Sequence, residues 1–131
     1  MKYVYPAVFR PEDGAYCVFF PDIKQGATQG DDIADAMYMA QDFLTMALYD
    51  METSKSELPE PSKLEDIEKN QGDIVTLVYA DTMDYRRKFD SKAVNKTLTI
   101  PNWLNSLAED AEVNFSQTLQ KALKKKLKLN K

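Results

Sequence analysis

The stretch NKTLTIPNWL, Asn95 to Leu104, decides how the chain is divided. Its first six residues alternate: Asn95, Thr97 and Thr99 share one face of a strand, Lys96, Leu98 and Ile100 the other. Pro101 then ends the extended run and opens a helix, a position where its missing N–H costs nothing. Lys96 falls on the apolar face and fits an edge, where its stem snorkels outward. Downstream, Leu104, Leu107, Ala108 and Ala111 share a face of a short helix. A second helix follows, with Phe115, Leu119, Ala122, Leu123 and Leu127 in a stripe, and Asn114 and Gln117 in capping-box spacing. One strand and two short helices in about forty residues rarely bury enough surface to fold alone, and a lone strand needs a partner. A second copy supplies it. Two 94–100 strands pair antiparallel across a two-fold axis, with four helices beneath, in a ribbon–helix–helix arrangement. The expected dimer core is Val94, Leu98, Ile100, Trp103, Leu104, Leu107, Phe115, Leu119 and Leu123.

A two-stranded ribbon fits the DNA major groove. Asn95, Thr97 and Thr99 then face the bases, and Lys92, Lys96 and the amides of Asn114, Phe115 and Ser116 face the phosphates. The bland alternative is a strand that docks on the rest of the chain and leaves the polar triplet in solvent.

Working back toward the N-terminus, the composition changes. Residues 1–90 hold 18 Asp and Glu against nine Lys and Arg, and residues 91–131 hold three acids against eight lysines. An acidic body with a basic tail points to two halves with different partners, although lysines near a helix C-terminus are also ordinary. In the body, KYVYPAVF alternates as a strand. Pro6 argues for an edge or a bulge there. RPEDG is a turn, and AYCVFF completes a hairpin in which Cys17 packs as a small hydrophobe. PDIKQGATQGDD reads as a loop with room for a short third strand, ending at Asp31 or Asp32 as a helix N-cap. Apolar residues from Ile33 to Met51 recur at helical spacing, and the methionines Met37, Met39, Met46 and Met51 read as core filling. SKSELPEPSK is a surface connection. IVTLVYA, short and β-branched, suits a strand buried on both faces. DTMDYRRKFD reads as one helical turn or a linker. The expected division is a β-β-β-α-β body over 1–82, a linker over 83–92 and the strand–helix–helix part over 93–131.

Of the 131 residues, 44% are apolar and 29% charged, and no apolar run approaches the roughly 20 residues of a membrane span. The start of the chain lacks a secretory cleavage pattern. A single cysteine excludes an internal disulfide and fits a reducing, cytoplasmic setting. There is no histidine, which removes the commonest general base and metal ligand together. Asp13, Asp22, Asp31 and Asp32 have the hard oxygen ligands a divalent cation favours. Two of them, however, have turn or cap roles, and no ligand spacing accompanies them. Neither metal nor cofactor is expected, and the body reads as a binding module.

The order YPAVF…DGAYCVFFPDI, TQGDD and ELPEPS, followed by KTLTIPNWLNSLAED and VNFSQTLQKAL, resembles the HicB family of antitoxins over essentially the whole chain. The resemblance implies an α+β protein: a partial RNase H-like domain followed by a ribbon–helix–helix domain. It implies an antitoxin, not an enzyme, that masks the active site of a HicA-type mRNA-cleaving toxin and, as a dimer, represses its own operon by binding operator DNA. Asp22, Lys24, Gln25 and Gln29 are then the loop residues expected to meet the toxin. Two other classes stay open: a metal-dependent ribonuclease that keeps RNase H-like activity, and a dimeric scaffold without a nucleic-acid role. The sequence also leaves open whether dimers pair into tetramers.

Overall fold

The computed structural model describes residues 1–129, with the backbone only at Gln25. It divides into two compact units, Met1–Lys92 and Ala93–Lys131. The first is a four-stranded antiparallel sheet under one long helix. Strands β1 (Lys2–Glu12), β2 (Ala15–Phe20), β3 (Ile23–Gly30) and β4 (Ile74–Asp81) lie in the order β3-β2-β1-β4. Asp13 and Gly14, both at positive φ (51° and 82°), make the two-residue turn that closes β1 onto β2 at Glu12↔Ala15.

Helix α1 (Ile33–Thr53) covers one face of the sheet. Its start is doubly capped: Asp32 accepts from the Asp35 amide and Asp35 accepts from the Asp31 amide. The buried stripe is Ala36, Ala40, Leu44, Ala47 and Leu48, lying on Tyr5, Ala7, Phe9, Val18, Phe20, Ile23, Val78 and Ala80. Small residues dominate the helix side, so α1 sits close to the sheet. The methionines expected to fill this core do not: Met37 and Met46 are exposed, and of the four only Met51 packs at its margin. A bulky, flexible side chain has no room where alanines set the spacing.

Three other expectations change. β1 is a central strand, not an edge. Pro6 is tolerated because β2 pairs with β1 only from Val8 onward, while Pro6 lies opposite Leu77 of β4. The third strand, expected as a short piece within a loop over 21–32, is a full eight residues, Ile23–Gly30, paired with β2 through a register irregularity between Val18 and Phe20. β4 is not buried on both faces. It is an edge strand whose Leu77 and Tyr79 are exposed.

The stretch expected as a linker over 83–92 is mostly helix. α2 (Thr82–Phe89) is capped by Asp81 and packs against α1. Glu52, near the end of α1, accepts hydrogen bonds from the Tyr3 hydroxyl (2.5 Å), the Thr82 hydroxyl (2.9 Å) and Arg86 (3.1 Å). These bonds fasten α2 and β1 to one carboxylate.

The second unit contains α3 (Asn102–Asp110) and α4 (Phe115–Lys126). Pro101 caps α3 and Asn114 caps α4, accepting from the Gln117 amide at 3.0 Å. The turn between them is a Schellman motif. Glu112 takes φ 55°, its amide donates to Glu109 and the Val113 amide donates to Ala108. The same motif ends α1 at Lys55 and α4 at Lys128. The strand expected at 94–100 is not formed within one chain: residues 91–101 carry no regular structure. A ladder needs a second strand, and among the described residues this unit has none.

Candidate functional site

Two surfaces correspond to the residues picked out from the sequence. On the first unit, the sheet face opposite α1 carries Arg10, Cys17, Phe19 and Gln29, a side fixed by the pairs Arg10↔Cys17, Val8↔Phe19 and Cys17↔Gln29. The segment 62–73, with one 3-10 turn at Leu64–Asp66, borders this face and encloses a polar cleft of about 440 Å³ with Arg10, Phe19 and Asp22. Arg10 holds the cleft in place. Its guanidinium lies over the Phe19 ring, 5.1 Å from the centroid, and grips Asp73 with bonds of 3.1 and 2.9 Å. The hydrogen bond from Arg10, then the Asn70 amide, draw the Asp73 carboxyl below its usual range. Asp73 is buried and acts as a brace.

Asp22 is occupied in a similar way. One oxygen accepts from the Ser62 hydroxyl (2.6 Å) and the other from the Ser62 amide (2.9 Å), tying the end of the β2–β3 hairpin to the segment after α1. This qualifies the role expected for it: as a carboxylate bound at both oxygens, it shapes the cleft and is half-buried. Lys24 and Gln29 are exposed on β3. The side chain of Gln25 lies outside the described residues. Among the other acids named with Asp22, Asp13 sits in the hairpin turn and Asp32 caps α1. Among the described residues no three His, Cys, Asp or Glu side chains gather into a ligand set.

On the second unit, Asn95, Lys96, Thr97 and Thr99 are all exposed in the segment before α3, and Lys92, the last residue of the first unit, is exposed as well. Asn114, Phe115 and Ser116 open α4, and the Asn114 side chain takes only the Gln117 amide, one turn further in. The residues named as a dimer core are uncovered within one chain. Val94 is 84% exposed, Trp103 65%, Leu107 60% and Leu98 58%. Ile100, Leu104, Phe115 and Leu123 are exposed as well, Leu119 is half-buried, and neither helix holds a buried residue.

The exposed aromatics Tyr38 of α1 and Phe89 of α2, with the half-buried Tyr85 beside Phe89, were not among the expected site residues. An aromatic on the polar face of an amphipathic helix was the available signal.

Residues 3–69 match the family model described as the HicB_like antitoxin of bacterial toxin-antitoxin system. The chain belongs to the HicB-like antitoxin family. The match covers nearly all of β1, β2, β3, α1 and the cleft-forming segment as far as residue 69, and stops short of β4 and α2. Antitoxin HicB 2 of Photorhabdus laumondii is 38% identical over 58 residues, which is 44% of this chain. The chain thus spans 42% of the length of that curated relative. Among solved structures, a chain of a toxin–antitoxin complex from Streptococcus pneumoniae is 31% identical, with a TM-score of 0.63 over 96% of this chain and 99% of that one. The antitoxin HicB of Burkholderia pseudomallei shares the fold, with a TM-score of 0.54 at 20% identity over 92% of this chain and 96% of that one. The family assignment also agrees with the α+β class. Among the described residues no helix is long and apolar enough to cross a membrane.

Proposed function

We propose that this chain is a HicB antitoxin whose first unit binds and neutralises a HicA-type toxin, and whose second unit dimerises and binds operator DNA to repress the operon. The first part rests on the family match over residues 3–69 of the first unit, together with the likeness, over nearly the whole chain, to a chain of a toxin–antitoxin complex. The β-β-β-α-β order supports a partial RNase H-like body used for binding. The acidic balance of residues 1–90 suits a basic, RNA-binding partner by steering encounter.

The observation that carries the second part is the uncovered apolar surface of the second unit. A stripe from Val94 through Trp103 to Leu123 is exposed in a unit without a core of its own. A second copy buries that stripe and gives the 94–100 segment its ladder partner, in a ribbon–helix–helix dimer. Asn95, Thr97 and Thr99 then stand outward on a ribbon beside Lys92 and Lys96, with the start of α4 free for a phosphate. Dimers of this kind can pair further.

Co-expression with the neighbouring small open reading frame tests neutralisation: the chain should restore growth and co-purify with that product. Gel shifts on the upstream DNA test readout. Asn95→Ala or Thr97→Ala should weaken binding by about 1–3 kcal/mol while toxin binding stays intact. Unchanged affinity in both variants would refute ribbon readout, and a DNA affinity indifferent to salt would favour a scaffold without a nucleic-acid role.

A further inference from the structure

β4 is an edge strand, paired on one side only among the described residues. Edge strands are ordinarily blunted by proline, lysine or a bulge, and Ile74–Asp81 contains neither residue and pairs with β1 in unbroken register. Beside it lies a groove of about 260 Å³ walled by Tyr38 and Asp42 of α1, Tyr79 of β4, and Asp84, Tyr85 and Phe89 of α2. Tyr79, opposite Val4, stands on the sheet face away from α1, yet it lines the groove together with α1 residues. The groove therefore crosses the free edge. Its volume falls below the roughly 300 Å³ at which small-molecule pockets begin.

The aromatics are organised. Tyr85 is 4.8 Å from Tyr49 and 4.6 Å from Phe89 between ring centroids, so three rings run in a row along the α1–α2 seam. Tyr38 and Phe89 are 66% and 62% exposed. The lining also holds Asp81 and Lys88. Of its three acids, Asp81 lies 3.8 Å from the N-terminal amine and caps α2, and Asp84 lies 3.8 Å from Arg87 in an exposed pair worth little, so Asp42 is the acid with no cation at ion-pair distance among the described residues; Lys88 already lies over the Phe89 ring at 5.4 Å. Aromatic faces beside a carboxylate such as Asp42 attract cations. They repel phosphate, which disfavours nucleic acid, and a second copy would bring the same acidic surface against itself.

We infer that this groove docks an extended, arginine- or lysine-bearing segment of a protein partner, added as a fifth strand to β4 with a cationic side chain between Asp42 and Asp84. The backbone of the edge supplies affinity, and the acid-and-aromatic groove selects positive side chains. The inference rests on the reading of the first unit as the toxin-binding half, and it identifies the edge by which such a basic partner would be held.

The test uses the full chain, labelled with ¹⁵N, and two capped synthetic peptides, one alternating arginine and valine and the other alternating glutamate and valine. The arginine peptide should shift amides of Ile74–Asp81 and α2, and the glutamate peptide should not. The combined change Asp42→Asn and Asp84→Asn should weaken the arginine peptide about tenfold, with the spectrum itself showing that the fold persists. No shifts at millimolar peptide, shifts centred away from β4, or equal response to both peptides would overturn the proposal. No toxin enters this experiment. A negative result leaves neutralisation standing on the co-expression outcome, and failed co-expression leaves the groove's chemistry to be read from the peptides.

Discussion

Replacing Glu52 by alanine should destabilise the first unit by about 2 kcal/mol. The carboxylate, 14% exposed, receives the Tyr3 hydroxyl, the Thr82 hydroxyl and Arg86. Thr82 has a second acceptor, the Met1 carbonyl at 3.3 Å, so its hydroxyl can turn there. Two bonds to a charged group are then lost, each worth about 1.5 kcal/mol. Arg86, more than a third exposed, recovers part of its share from water, which lowers the sum to about 2 kcal/mol. For a unit of this size that corresponds to a fall in Tm of about 8–16 °C. Glu52→Gln, which keeps an acceptor but not the charge, should lose about half as much.

The assay can be unit-specific, because all seven tyrosines lie in the first unit and the single tryptophan, Trp103, in the second. Tyrosine near-ultraviolet circular dichroism should register the drop while Trp103 fluorescence melts unchanged. Burial raises the pKa of Glu52, but the hydrogen bonds from Tyr3, Arg86 and Thr82 outweigh it and hold the carboxyl below its ordinary value of 4.5. The same bond, after burial, pushes the Tyr3 hydroxyl up to about 12. A depressed carboxylate contributes stability above its unfolded pKa and loses it as pH falls through the folded one. The gap in Tm between the native chain and Glu52→Ala should therefore hold at neutral pH and close progressively below about pH 4.5. A fall of less than about 3 °C at pH 7, or a gap indifferent to acid, would refute the reasoning.

Two further substitutions probe the backbone of the first unit. A Cβ at Gly30 would stand 2.2 Å from the Ala36 backbone nitrogen. Gly30→Ala should therefore force α1 off β3, cost about 3 kcal/mol or more and lower the tyrosine-detected Tm by over about 12 °C. Lys55, at φ 57° after α1, pays for a left-handed conformation that glycine adopts freely. Lys55→Gly should raise stability by up to about 1 kcal/mol in urea titrations, and a loss would show that the Lys55 side chain contributes more than its backbone strain costs.

How much of this was legible in the sequence varied with the range of the interaction. Local signals were read correctly. The Asp13–Gly14 turn, the Asp32 cap, the Asn114 cap and the alternation of Tyr3, Tyr5, Ala7 and Phe9 each depend on residues within a few positions. Helix ends were harder, because Lys55, Glu112 and Lys128 occupy the left-handed position where glycine is the usual marker. In the candidate site, Asn95, Thr97 and Thr99 are exposed, but so is every residue from 91 to 101, because the expected strand has no partner within one chain and its two faces are not distinguished there. The engagement of Asp22 by Ser62 was not legible, since the two lie 40 positions apart.

The sequence alone determined the division into an acidic body and a basic tail, the apolar stripes of α3 and α4, and the family, because charge, periodicity and motif order need no third dimension. Tertiary structure decided which strands are edges. β1 became central and β4 an edge because strand order is set by long-range pairing, and burial on a strand depends on the neighbours it acquires. It also made an eight-residue helix of residues 82–89, where one helical turn or a linker was expected, since a polar octapeptide is held helical by Glu52 and the Tyr49 ring, contacts that only the fold brings within reach.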